Sequence, residues 1–178
     1  MRLLALLLLC CGTLAACATS LPEMTRQEML AATVRVYAGK TKEEVRNAAE
    51  TLFLLAFGDA GRIAVREDEV TAAHNVFIFI IINAISVDWQ WQVRVQDDPR
   101  GGKAIVRLTS SGEIVIGNVS GPVDVRHAIH YELFWARMDY LLDRSNHWPT
   151  CAEQKQTLGS LCLQALDQTP NGSLPSAR

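Results

Sequence analysis

The sequence predicts an α+β two-layer sandwich, an antiparallel sheet with helices on one face, and three observations carry that prediction. Residues Ile85 to Gln96 alternate strictly: Ile85, Val87, Trp89, Trp91, Val93 and Val95 oppose Ser86, Asp88, Gln90, Gln92, Arg94 and Gln96. Period-two alternation of this kind marks a strand with one face on a core and the other in water. Upstream, Thr41 and Glu44 form a capping box, and Val45, Ala48, Ala49, Leu52, Leu55 and Ala56 recur at helical spacing until Gly58. Downstream of the strands, Ile129, Leu133, Ala136 and Tyr140 form a second helical stripe with Phe134, Met138 and Leu141 beside it. Strand, helix, several antiparallel strands and a long helix, in that order, make two layers. The chain has 178 residues, 49% hydrophobic and 20% charged, the composition of one globular domain. Seventeen Lys and Arg against nineteen Asp and Glu, scattered along the chain, leave no electrostatic footprint for nucleic acid.

The first sixteen residues form a leader. Arg2 supplies a positive charge, Leu3 to Leu9 an apolar run interrupted by Ala5, and small residues precede Cys17. The run is too short for a retained span, which needs about 20 apolar residues. Leu14-Ala15-Ala16-Cys17 resembles the lipobox of bacterial lipoproteins at all four positions. The resemblance implies cleavage before Cys17 by signal peptidase II, a diacylglycerol on its sulfur and a further acyl chain, such as palmitate, on its amino group. Ala18 in place of Asp implies passage to the outer membrane, facing the periplasm. Residues 1–16 are thus a signal peptide, 17–28 a lipidated tether, 29–166 one α+β domain and 167–178 a flexible tail.

The mature domain opens with a strand candidate at Thr33 to Tyr37, ended by Gly39. After the helix that Gly58 stops, Arg62 to Arg66 reads as a short strand, Glu67-Asp68-Glu69 as a turn, and Val70 to Ala73 as the next strand. Val76 to Ile82 is wholly apolar, and as one extended strand residues 76 to 96 would run roughly 70 Å, longer than a domain about 40 Å wide. The chain must bend, and Asn83-Ala84 is the expected place. Asp97 to Gly102 is a turn cluster, Ala104 to Thr109 a strand, and Glu113 to Ile116 a short apolar run. The long helix runs from Pro122 or Asp124 to Leu142, and Pro149 suits the first turn of a shorter helix toward Leu166. In element order the domain is similar in outline to helix-grip-like domains of envelope lipoproteins, including an accessory lipoprotein of the outer-membrane β-barrel assembly machinery. That likeness rests on no motif and carries over no site residue.

Cys10 and Cys11 leave with the leader and Cys17 takes the lipid, so Cys151 and Cys162 remain. In an oxidising periplasm the pair favours a disulfide, worth up to about 3 kcal/mol in the chain-entropy model, over two separate buried thiols. Their spacing, with no second Cys or His pair nearby, is a poor zinc pattern.

Catalytic and cofactor patterns are weak throughout. His127 and His130, with Glu132 near, can share a helix face but are too few for a metal site. Ser120 in Gly117-Asn118-Val119-Ser120-Gly121 lacks the glycine placement of a nucleophile elbow and reads as a turn. The glycines match neither a dinucleotide fingerprint nor a phosphate-binding loop, so no cofactor is expected. Paired carboxylates at residues 67–69 and 97–98 sit at turns, where solvated charge is the ordinary explanation.

Two apolar features bear on binding. Trp89 and Trp91 share a face with Val87 and Val93, either as core or as the lining of an apolar groove for a lipid-like molecule. Val76, Ile78, Ile80 and Ile82 have the parity of Ser86, Asp88 and Gln90, which would place them on the otherwise polar sheet face as a docking surface. The expected protein is therefore a non-catalytic, membrane-anchored envelope lipoprotein that docks on another envelope protein. A carrier of a small apolar ligand is the alternative reading, and an enzyme a third that needs a catalytic group not evident in the sequence.

Overall fold

The computed structural model describes residues 23–58, 62–80, 83–116, 119–122, 125–153 and 161–162, with the backbone course of 77–80, 83–85, 112–116 and 119–122. The fold is α+β, as predicted. In chain order the described elements are α1 (Arg26–Thr33), β1 (Val34–Ala38), α2 (Lys42–Phe57), β2 (Arg62–Val65), β3 (Glu69–Ile80), β4 (Asn83–Asp98), β5 (Gly101–Ile116), β6 (Val119–Pro122) and α3 (Ala128–Leu141). The strands form one antiparallel sheet in the order β1-β5-β4-β3-β2, with β6 paired to the far end of β5.

Helix α2 begins and ends where its sequence signals lie. The Thr41 side chain accepts from the Glu44 N–H, and the Glu44 carboxylate accepts from the Thr41 N–H at 2.7 Å. These bonds satisfy donors that the first turn would otherwise leave open. Gly58, at φ 51°, closes the helix by donating to the Leu54 carbonyl. The apolar face of α2 delivers Val45, Ala49, Leu52, Phe53 and Phe57 to the core, each fully buried.

The α1 helix was not expected: it occupies part of the segment read as tether. The cause is a second capping box, Thr25 with Glu28, whose carboxylate accepts from the Thr25 N–H at 2.7 Å. The first strand accordingly starts at Val34 rather than Thr33. α1 buries no side chain, but its Ala32 carbonyl accepts from Trp135 Nε1 at 2.6 Å, fixing it to α3.

Three other boundaries differ from expectation. The chain reverses between Ile80 and Asn83, which pair with each other, so the bend precedes Asn83-Ala84 rather than falling on it. Ala104 to Thr109 and Glu113 to Ile116 belong to one strand, β5, which pairs with β4 from Gly101 to Ile114. Helix α3 starts at Ala128, later than Pro122 or Asp124, and its buried side chains are Tyr131, Leu133, Phe134, Trp135, Arg137 and Met138. Its core-facing centre therefore lies closer to Tyr131, Phe134, Trp135 and Met138 than to the Ile129–Tyr140 stripe. Of the helix expected after Pro149, residues 151–153 form a turn, and 154–160 lie outside the described residues, as do the leader, Cys17 and the tail.

Gly101 and Gly102 show why the turn cluster needs glycine. A Cβ on Gly101 would stand 2.1 Å from the Tyr37 carbonyl oxygen, and one on Gly102 2.7 Å from Thr41 O and Val45 Cγ2. That close approach lets β1 lie against β5 while α2 packs on the sheet.

Cys151 and Cys162 form a disulfide, with both residues buried at the C-terminal end of α3.

Candidate functional site: the two faces of the sheet

The helices cover one face. On it Trp91 stacks on Phe134 with ring centroids 5.2 Å apart and meets Phe53 at 6.1 Å and Tyr131 at 6.3 Å. Trp89 sits against His130 at 5.4 Å. Trp89 and Trp91 are 3% and 1% exposed, so their rings fill the core rather than line an apolar groove. The groove reading is thus corrected: α2 and α3 bring aromatic rings from two distant segments into the space it required.

Register also corrects the docking surface. Val76, Ile78 and Ile80 pair with Val87, Ile85 and Asn83, positions of the helix-covered face, while Ile82 lies outside the described residues. Val76 is partly buried and packs on the core. The two-residue link between Ile80 and Asn83 is the reason. Across it, even-numbered positions of β3 share a face with odd-numbered positions of β4, so Phe77 and Phe79, not the isoleucines, continue the polar face.

His74 lies on the covered face, paired with Trp89 and stacked on Phe57 at 4.1 Å. It is 3% exposed and neither ring nitrogen has a hydrogen-bond partner. Burial pushes its pKa down to about 4, against a weaker upward pull from Asp88. His127 and His130 stand 6.5 Å apart, ring to ring, with His130 directed at Trp89. Among the described residues no three His, Cys, Asp or Glu side chains are grouped to hold a metal ion.

The open face is polar and internally bonded. Glu69 accepts from Gln92 Nε2 at 2.7 Å and from Arg94 Nε at 3.2 Å, while Asn75 donates to Asp88 at 2.9 Å and to Ser86 at 3.3 Å. Between these two clusters lies a depression of about 470 Å³ lined by Arg62, Thr71, Ala73, Gln90, Gln92, Arg107 and Thr109. Its lining holds no histidine, cysteine or carboxylate. It offers guanidinium and amide donors with hydroxyls, groups that bind by hydrogen bonding rather than move protons. Toward β1 the same face turns apolar, with Val34 and Ile105 paired across the strands, both half-buried, and Val36 beside them. Sequence reasoning singled out none of these residues. The signal available was the polar half of the alternation, Gln90, Gln92 and Arg94, read there only as solvated.

No helix among the described residues is long and apolar enough to cross a membrane. No protein-family model matches the chain, and no curated protein or solved structure matches it either.

Proposed function

We propose that this protein is a non-catalytic lipoprotein of the bacterial envelope, anchored by acylated Cys17 in the outer membrane on its periplasmic side, whose domain docks on another envelope protein. The observation that carries the reading is Leu14-Ala15-Ala16-Cys17 directly after an apolar leader. A single acyl chain gives marginal membrane binding, whereas the chains that a lipidated cysteine would carry make the anchor firm. The open sheet face supports the docking role. Its Arg, Gln and Thr side chains beside the apolar strip Val34, Val36 and Ile105 match the mixture of apolar patch and polar rim found in non-obligate interfaces.

Two experiments test the two halves. Cys17→Ser should abolish incorporation of a fatty-acid analogue and leave the leader uncleaved; persistent labelling of the variant rejects the anchor. A photo-crosslinking residue at Gln90, on the open face, is expected to trap a discrete envelope protein in intact cells, and the same group at Glu43, exposed on α2, is not. Equal trapping at both positions would reject docking through the sheet.

A further inference from the structure

We infer that the far end of the sheet, built from the β3–β4 hairpin and the adjoining end of β5, is a second membrane contact that rests in the lipid surface beside the anchor. The inference rests on the lipid-anchoring reading and adds to it where the domain touches the bilayer.

Three observations converge. The first is chemical. From Val76 to Ile85 the sequence holds no charge, and Asn83 is its sole polar residue. Register places Phe77, Phe79 and Ala84 on the open face, and Ile78, Ile80 and Ile85 on the other, with Ile114 paired to Ile85 on β5. Beyond the row Phe77, Ser86 and Glu113, both faces of the β3–β4 hairpin are therefore apolar. A sheet that serves only a core is apolar on one face, and a docked protein commonly covers one face. Lipid surrounds both.

The second is position. Among the residues whose side chains are described, the ring contacts between the helices and the sheet reach Phe57 on His74 and His130 on Trp89, and Val76 packs on the core beside them. From Trp89 the strand continues six residues to Asn83, roughly 20 Å further.

The third is where the anchor emerges. Met24 N–H donates to the Arg126 carbonyl at 2.9 Å, just before α3. Trp135, further along α3, bonds Ala32, so α1 and α3 run side by side from this same end of the domain. The chain therefore leaves toward Cys17 at the hairpin's end of the sheet, and seven residue steps give it a reach of about 25 Å. The chain's exit at Met24 and the apolar hairpin thus lie at the same end of the domain, and the steps to Cys17 are long enough to span the distance between them.

The length of the apolar part sets the depth. Four residues of β3, Phe77 to Ile80, give roughly 13 Å, whereas a spanning strand needs about 9–11 residues. The contact is interfacial, with strand edges among headgroups and water rather than hydrocarbon. Asp88 and Glu113 border it and no basic residue lies between Val76 and Ile85, so neutral phospholipid suffices.

The test uses the full chain purified from bacterial membranes and reconstituted in phosphatidylcholine–phosphatidylethanolamine vesicles. An environment-sensitive dye is attached to Ala84→Cys on the open face, to Ile80→Cys on the other, and to Gln90→Cys as the polar control. The expected result is quenching by doxyl-labelled phosphatidylcholine and loss of iodide quenching at positions 84 and 80, with the reverse at 90. Ala84→Cys adds little more than a sulfur atom and decides alone if Ile80→Cys disturbs the fold. Iodide quenching at 84 equal to that at 90 overturns the inference. So does shielding from iodide without quenching by doxyl lipid, which would mean that protein covers the hairpin, whether this chain, a second copy or a partner. Mass spectrometry of the same samples judges the anchor separately: an unacylated Cys17 rejects it, and with Cys17 acylated the dye sits on the introduced cysteine and its quenching decides the hairpin contact alone.

Discussion

Arg137→Ala should destabilise the domain by about 4 kcal/mol, among the largest single effects expected outside the aromatic core. The guanidinium is 1% exposed on the inner side of α3. Its Nε donates to the Pro149 carbonyl at 3.2 Å, Nη1 to the Leu161 carbonyl at 3.3 Å and Nη2 to Cys151 Sγ at 3.4 Å, and it lies over the Trp148 ring at 4.9 Å. Residues 149, 151 and 161 bracket the disulfide, so one side chain ties both limbs of that loop to the helix. Removing it leaves two buried carbonyls unsatisfied, at about 1–3 kcal/mol each, and deletes a desolvated cation–π contact. Lysine should not rescue, because a single ammonium cannot reproduce the planar fork that reaches separate acceptors. Urea unfolding followed by tryptophan fluorescence measures the loss, and a change below about 1 kcal/mol would mean that the loop is held by other contacts. Arg137→Ala and the disulfide-free Cys151→Ala/Cys162→Ala variant should cost less together than the sum of their separate costs, since both act on the same segment.

What was legible in the sequence followed the range of the interaction. Thr41, Glu44 and Gly58 act within a few residues of themselves, and helix Lys42–Phe57 starts and ends where they predict. The alternation of Ile85 to Gln96 assigned the faces of β4 correctly, Val87, Trp89, Trp91, Val93 and Val95 being buried. The same local signal was present at Thr25 and Glu28, yet α1 escaped notice because it has no apolar stripe: none of its residues is buried. Long-range facts were not legible. Whether Trp91 lines a groove or fills a core depends on Phe53 and Phe134, which lie about forty residues away on either side. The face assigned to Val76, Ile78 and Ile80 turned on how the chain passes into β4: a continuous bent strand keeps even positions together on one face, whereas the two-residue link after Ile80 pairs them with odd positions of β4. Arg137 gave no sign of burial, because its acceptors are backbone carbonyls in a segment whose path no side-chain pattern encodes.

Acid should weaken the fold through His74. In the native state burial holds its pKa near 4, and in the unfolded chain it returns to about 6.5. Between those values the unfolded chain binds more protons than the folded one, so stability falls as pH falls. The contribution is intact above about pH 6.5, declines below it, and levels off under about pH 4, with a total loss of up to about 3 kcal/mol. Its setting explains why protonation is costly: Phe57 stacks on one side of the ring, Trp89 is its cross-strand neighbour, and the nearby Asp88 offsets only part of the desolvation. His74→Leu should remove this acid limb. The variant should also be more stable at neutral pH, since it no longer buries two ring nitrogens that lack hydrogen-bond partners. Denaturant midpoints of both proteins from pH 4 to 7.5 decide the matter. The gap between the two curves should be smallest at neutral pH, with the variant the more stable, and should widen in acid, whereas parallel curves would mean that His74 titrates alike in the folded and unfolded chain and would place the acid sensitivity in other groups.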